Sequence, residues 1–335
     1  MAFGRAGERD VMSRERSDQP TSVAGPAAID DRAAWNEVAR FLAMAETHGL
    51  EDAPQRIDTH CAVVFLAGPL AYKIKRPVRF PYLDFSTPAL REAACRREIA
   101  VDRPIAPQIY RRVVAITRRP DGSLALGGDG PAVEWAVEMN RFDEQATLDR
   151  LLAEGPLSGD LVDDLAENVA IAEARARRRE AGPWHADLAA YCRQNGEAFA
   201  TRPDLFPSGP ARRLERASLA RLADLADLVE TRGRLGFVRL GHGDLHGGNV
   251  AVIDGRPQPF DAIEFDDAIA TGDILYDAGF LVMDLADRGD PQAACRFLAR
   301  FLHETARLEA DRRIGRGAEA SPATRAETLV EQIDG

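Results

Sequence analysis

The chain has 335 residues, 45% of them hydrophobic, enough to bury the core of one large bilobed domain or two ordinary ones. A net charge of −11 argues against a general nucleic-acid binder, because neutralising a phosphate backbone needs a basic surface. The basic clusters at Arg96-Arg97 and Arg175 to Arg179 are flanked by acidic residues and read as solvated helix faces.

Four cysteines, Cys61, Cys95, Cys192 and Cys295, are scattered without a C-x-x-C pair, which suits reduced thiols in the cytoplasm. No run approaches the roughly 20 apolar residues of a membrane span. Residues 1–18 lack the apolar centre of a signal peptide, so a cytoplasmic protein is expected.

Residues 1–30 are rich in Gly, Arg, Asp, Ser and Pro without periodicity and are expected to be a disordered tail. Trp35, Val38, Ala39, Leu42 and Ala45 then mark one face of a helix over 33–50. Residues 62–66 and 70–75, around the turn Ala67-Gly68-Pro69, read as a β-hairpin whose second strand carries Lys73 and Lys75. Residues i and i+2 of a strand share a face, so both lysines point the same way; a solvated strand face is the ordinary explanation for such a pair. A helix follows over 87–102, with Thr87 as N-cap, Pro88 at its first position, and Glu92 and Glu98 along it. Strands are expected over 109–117 and 132–139, and helices over much of 147–191, over 214–231, 274–286 and 293–308. The leucine stripes of these later segments read as core faces. The pattern is α+β: a strand-rich first third with one helix, then a helical remainder interrupted by a strand-loop-strand segment. It implies an N-lobe over 31–139 and a C-lobe over 140–311, joined near Met139 to Phe142 around a cleft, with a loosely ordered tail over 312–335.

The interruption holds the chemistry. From His242 to Asn249 the chain offers a carboxylate, two imidazoles, an amide and three glycines. The run 250–253, Asp254-Gly255 and a strand-like 259–265 follow as a hairpin. Phosphoryl transfer to a hydroxyl needs a carboxylate to take the proton, oxygen ligands for Mg²⁺, and a cation on the nucleotide phosphates. Asp244 suits the first need. Asn249, with Asp261 or Glu264 on the returning strand, suits the second. Lys73, fixed by Glu98 or Glu92, suits the third. Asp273 and Asp277 are expected to brace the loop, and His242 to orient it.

The stretch His242-Gly243-Asp244-Leu245-His246-Gly247-Gly248-Asn249 resembles the H-G-D-x-x-x-x-N motif of aminoglycoside phosphotransferases and choline kinase-like enzymes, itself similar to the catalytic loop of protein kinases. Residues 71–77, 97–101 and 260–265 resemble the branch of that family often fused to a C-terminal P-loop ATPase domain. No G-x-x-x-x-G-K-[ST] occurs here, so such a domain would be a separate or lost partner. The resemblance implies a protein kinase-like bilobed fold and an ATP- and Mg²⁺-dependent phosphotransferase acting on a small-molecule hydroxyl. It implies Asp244 as catalytic base and Asn249 as metal ligand, with Asp261 or, on a second alignment, Glu264 as the other. Lys73 would bind the α/β-phosphates with Lys75 as runner-up, Glu98 would pair with the lysine, and the backbone at Glu138 and Met139 would meet adenine. Two other classes stay open: a nucleotide-binding regulator without turnover, and a metal-dependent hydrolase using the H-x-D-x-H run of His242, Asp244 and His246.

Overall fold

The computed structural model describes residues 26–80, 82–179 and 184–319; of the tails expected over 1–30 and 312–335, residues 1–25 and 320–335 lie outside them, as do 180–183 of the helical stretch expected over 147–191. Helix α1 (Pro26–Leu42) buries Trp35, Val38, Ala39 and Leu42, the i, i+3, i+4, i+7 stripe of an amphipathic helix. The single helix expected over 33–50 is broken. A separate turn, α2 (Ala45–His48), ends at Gly49, whose φ of 67° is the left-handed conformation that glycine adopts without a Cβ clash.

Strands β1 (Gln55–Asp58), β2 (Ala62–Ala67) and β3 (Leu70–Lys75) follow, then a small hairpin, β4 (Arg79–Phe80) and β5 (Leu83–Asp84). Helix α3 (Pro88–Asp102) starts where expected: the Thr87 hydroxyl accepts from Leu90 N at 3.3 Å, and Pro88 takes the first turn. Strands β6 (Tyr110–Arg118), β7 (Leu124–Leu126) and β8 (Ala132–Asn140) complete a six-stranded antiparallel sheet in the order β1-β2-β3-β8-β6-β7. Its two faces separate the side chains of β3. Tyr72 and Ile74 pack with Trp35, Val38 and Phe65 under α1. Ala71 faces the other way, among Cys95 of α3, Tyr110, Val137 and Met139. Lys73 and Lys75 share that second, inward face, so the solvated-face explanation does not hold for them.

The second lobe comprises α4 (Leu148–Glu154), α5 (Gly159–Arg175), α6 (Trp184–Thr201), α7 (Ser208–Asp224), α8 (Ala226–Arg234), β9 (Val238–Leu240), the hairpin β10 (Val250–Ile253) and β11 (Arg256–Pro259), β12 (Thr271–Asp273), α9 (Ile274–Asp287) and α10 (Pro291–Glu319). Leu148, Leu165 and Val169 meet Leu281, Phe297 and Phe301 in its core, and Leu245 of the polar loop is buried there too. The core thus anchors the loop by its one apolar side chain. Strand β9 pairs antiparallel with β12, pinning the two ends of 241–270 together.

Three expectations change. The stripe of α7 and α8 is only half-buried, with Leu228 54% exposed, so it is no core face. The strand expected over 259–265 ends at Pro259, and Asp261 takes a left-handed φ of 61°. Helix α10 continues to Glu319, into the stretch expected to be loose.

The fold generates a stability prediction. Arg91 of α3 is 1% exposed and donates to Glu134 at 2.8 Å, to Phe85 O at 2.9 Å and to Asp31 at 2.9 Å. Arg91→Ala leaves the Glu134 carboxylate buried without its cation, a loss of about 3–5 kcal/mol for a broken buried pair. Urea denaturation checks it; an unchanged midpoint would mean that water replaces the guanidinium at no cost.

Candidate active site

The loop after β9 is held by its backbone. Asp277, in the first turn of α9, accepts from His242 N at 2.7 Å and from Gly243 N at 2.9 Å, the bracing expected of it. A Cβ at Gly241 would lie 2.5 Å from Asp277 Oδ2, so a larger residue there would displace the brace. Gly247 N donates to Asp284 Oδ2 at 2.7 Å further along α9. His242 Nε2 faces the Phe260 carbonyl at 3.0 Å and its Nδ1 lies 3.4 Å from Asp244 N. That pattern is the neutral imidazole protonated on Nε2, and burial depresses the pKa of His242 despite the pull of Asp277. His242 orients the loop.

Asp244 keeps 46% of its side chain accessible. Asn249 Nδ2 donates to the Asp244 carbonyl at 2.9 Å and approaches Oδ2 at 3.3 Å, which turns its amide oxygen the other way. His246 accepts from Gly248 N through Nδ1 at 3.1 Å, leaving Nε2 to carry a proton 3.7 Å from Asp244 Oδ2. The nearby Asp244 carboxylate raises the pKa of His246.

Across the cleft, Glu98 of α3 is fully buried and divides its carboxylate between two lysines: Oε1 lies 2.9 Å from Lys73 Nζ and Oε2 lies 2.7 Å from Lys75 Nζ. Each lysine takes a second carboxylate from the other lobe. Lys73 meets Asp261 at 2.5 Å, and Lys75 meets Glu264. Burial opposes ionisation of Glu98, Asp261 and the two lysines, but the lysines hold Glu98 and Asp261 below the usual carboxylate range, and the carboxylates hold both lysines above theirs. Exposure separates the pairs: Lys73 and Asp261 are 12% and 43% accessible, Lys75 and Glu264 only 2% and 7%.

The Asp261-to-Phe265 segment is also gripped by its backbone. Asp261 N donates to the Tyr110 hydroxyl at 3.1 Å, Ala262 N to Asp102 Oδ1 at 2.8 Å, and Arg97 donates to the Glu264 carbonyl. These contacts hold Asp261 in its left-handed conformation. Asp102 is fully buried, and burial together with the neighbouring Glu98 charge pushes its pKa up to about 8. Tyr110 and Asp102 escaped the sequence reading, and Arg97, read with Arg96 as a solvated helix face, instead grips this segment. Asp102, an acid on the same face as Glu98 one turn earlier, was the available signal.

A cavity of about 640 Å³ runs between the lobes. Val64, Leu66, Ala71, Met139 and Phe142 line one part of it; Lys73, Asp244, Asn249 and Asp261 bring their polar groups to the same space. The structure therefore gathers Lys73, Glu98, Asp244, Asn249 and Asp261 at one site, with Lys75 and Glu264 at its inner wall. Two candidates stand apart. Glu92 pairs with Arg96 at 2.6 Å on the exposed side of α3. The Glu138 carboxylate turns to Arg111, Arg112 and Tyr72, away from the cleft, while Met139 lines it. Among the described residues no three His, Cys, Asp or Glu side chains are arranged to hold a metal ion, so the H-x-D-x-H run forms no zinc site there. No described helix is long and apolar enough to cross a membrane, and the four cysteines are free thiols.

Three uncharacterized proteins, from Mycobacterium bovis and two strains of Mycobacterium tuberculosis, are each 32% identical over 263 residues, covering 76% of this chain and 51% of theirs. The chain spans about half the length of the curated relatives it matches. Among solved structures, a choline/ethanolamine kinase family protein from Mesorhizobium loti is similar over 82% of this chain and 80% of its own, with 15% identity and a TM-score of 0.40. No family model matches the chain.

The Asp102 environment predicts a pH dependence. Its folded pKa lies above the unfolded value, so the protonated form is the one the fold favours. Stability from this group is present below the unfolded pKa near 3.8 and is lost as pH rises toward about 8. Asp102→Asn keeps an acceptor for Ala262 N and removes the titration. The variant is expected to lose less stability than the parent between pH 5 and pH 8, a difference on the order of 3 kcal/mol. Urea midpoints at both pH values measure it; parallel losses would mean that Asp102 does not hold its proton.

Proposed function

We propose that the protein is an ATP-dependent phosphotransferase that moves the γ-phosphoryl group to the hydroxyl of a small molecule. One observation carries the reading: Lys73, anchored by Glu98, meets Asp244, Asn249 and Asp261 on the wall of a single interlobe cavity. That set supplies a cation for phosphates, a carboxylate base and oxygen donors for a hard metal ion. The apolar part of the cavity suits a nucleobase beside Met139 and Phe142, where the chain leaves the sheet after Asn140.

Asp244 is the base in this reading. It is accessible from the cavity, its backbone is fixed through His242 and Asn249, and it lies within reach of an acceptor hydroxyl entering beside His246. The proton leaves the hydroxyl for Asp244 as its oxygen bonds to the γ-phosphorus and the bond from that phosphorus to the β,γ-bridging oxygen breaks, releasing ADP. His246, protonated on Nε2 beside that carboxylate, steadies it electrostatically. Lys73 neutralises the nucleotide phosphates, and its hold on Glu98 keeps it extended across the cleft. The Asp261 carboxylate and the Asn249 amide oxygen are oxygen donors on the same wall and fit Mg²⁺, which supplies charge neutralisation of the polyphosphate when bound. Exposure favours Asp261 over Glu264 for that role and Lys73 over Lys75 for the phosphates.

Asp244→Asn is expected to lower turnover about 10²–10⁴-fold, the worth of general-base help, while nucleotide affinity stays within about twofold. Purified protein with ATP and a panel of sugars, amino alcohols and aminoglycosides, followed by ADP release and calorimetric nucleotide binding, provides the measurement. A parent protein that binds Mg·ATP but phosphorylates no hydroxyl would instead make it a nucleotide-binding regulator.

A further inference from the structure

On the phosphotransferase reading, we propose that Lys75 and Glu264 form a buried interlobe latch: they are positioning residues that fix Glu98 and the metal-side segment, and neither touches nucleotide or metal. The geometry divides the four charges between two tasks. All four line the cavity, but Lys73 and Asp261 are 12% and 43% accessible, whereas Lys75 and Glu264, at its inner wall, are only 2% and 7% accessible. The Phe85 ring centre lies 5.4 Å from Lys75 Nζ and covers it from the β5 side. Arg97, one residue before Glu98 on α3, donates to the Glu264 carbonyl. Glu264 is thus held at its carboxylate by β3 and at its backbone by α3.

The consequence runs through Glu98. A buried carboxylate with one cation can rotate about its terminal torsion toward that cation; with a lysine on each oxygen it has one setting. Lys75 therefore fixes the oxygen that meets Lys73. Glu264 in turn keeps Lys75 from moving toward Glu98, where it would compete with Lys73. The same pairing ties Glu264 of one lobe to β3 and α3 of the other and sets where Asp261, three residues earlier, enters the cleft.

The test uses the full chain and four variants: Glu264→Gln, Lys75→Met, their combination, and Lys73→Met as a nucleotide-site reference. Glu264→Gln is close to isosteric and carries the test if Lys75→Met does not fold. The latch predicts that Glu264→Gln and Lys75→Met each lower kcat about 10- to 100-fold through misplacement of groups they do not replace. The KM for ATP and the Mg²⁺ concentration for half-activity stay within about twofold, because uniform binding is untouched. The double variant is expected to be little worse than the poorer single, the signature of one shared interaction. Independently of turnover, hydrogen exchange at Ala262 N and along the last turn of α3 accelerates in both single variants. Three results would overturn the latch: a raised Mg²⁺ requirement in Glu264→Gln, an ATP KM in Lys75→Met raised as far as in Lys73→Met, or exchange at Ala262 and α3 equal to the parent. If the parent turns over no acceptor, the phosphotransferase reading fails while the exchange arm still decides the latch.

Discussion

The molecule is organised around the Glu98 carboxylate. A charge with no solvent exposure is costly to bury unless each of its oxygens is matched, and here each oxygen takes one lysine. This requirement reaches back into the sequence. The two cations must share a strand face, so they stand two residues apart on β3, and that strand must lie inside the sheet with α3 across its inner face. The Thr87 cap and Pro88 set where α3 begins and hence which of its residues meets the lysines. Secondary structure, register and active-site charge are one constraint seen at three scales.

The charge balance explains a neighbour. Lys73 and Lys75 face Glu98, Asp261 and Glu264, so two cations already serve three anions. A further ionised carboxylate beside Glu98 has no cation left to meet, and Asp102 responds by holding its proton to about pH 8. It still accepts the Ala262 N–H, so it positions backbone without adding charge. Asp261 is the most accessible of these carboxylates, 43% against 0% for Glu98 and 7% for Glu264.

Much of this was readable in the chain because local rules acted alone. The polar loop from His242 to Asn249, the alternate lysines and the capped helix with Glu98 each depend on spacing within a few residues, and each lies in the expected place. What could not be read depends on distant partners. The stretch Pro259-Phe260-Asp261-Ala262-Ile263-Glu264-Phe265 reads as strand-like after the hairpin turn. It is instead drawn into a loop by Tyr110, Asp102 and Arg97, more than a hundred residues earlier in the chain. The break in the helix over 33–50 is local instead: the side chains of Thr47 and His48 meet the Phe41 and Leu42 carbonyls at the end of α1. The leucines of α7 and α8 misled differently: periodicity identifies a face, not what covers it.

The loop conformation also brings two residues that the sequence offered as alternatives, Asp261 and Glu264, to the same strand. In a strand, Asp261 and Glu264, three residues apart, would point to opposite faces, and only one could reach the site. The left-handed backbone at Asp261 turns the segment so that both carboxylates reach β3. Once they do, the two-residue spacing of the lysines assigns one to each. Sliding either segment along the other would leave at least one buried lysine and one buried carboxylate unmatched, a penalty of several kcal/mol for an uncompensated buried charge, about 3–5 by analogy with broken pairs. The paired charges therefore specify the relative placement of the lobes more tightly than apolar contact could, because apolar surfaces tolerate sliding and buried charges do not. The register of two lysines against two carboxylates is what brings Asp261 to the same wall as Asp244 and Asn249.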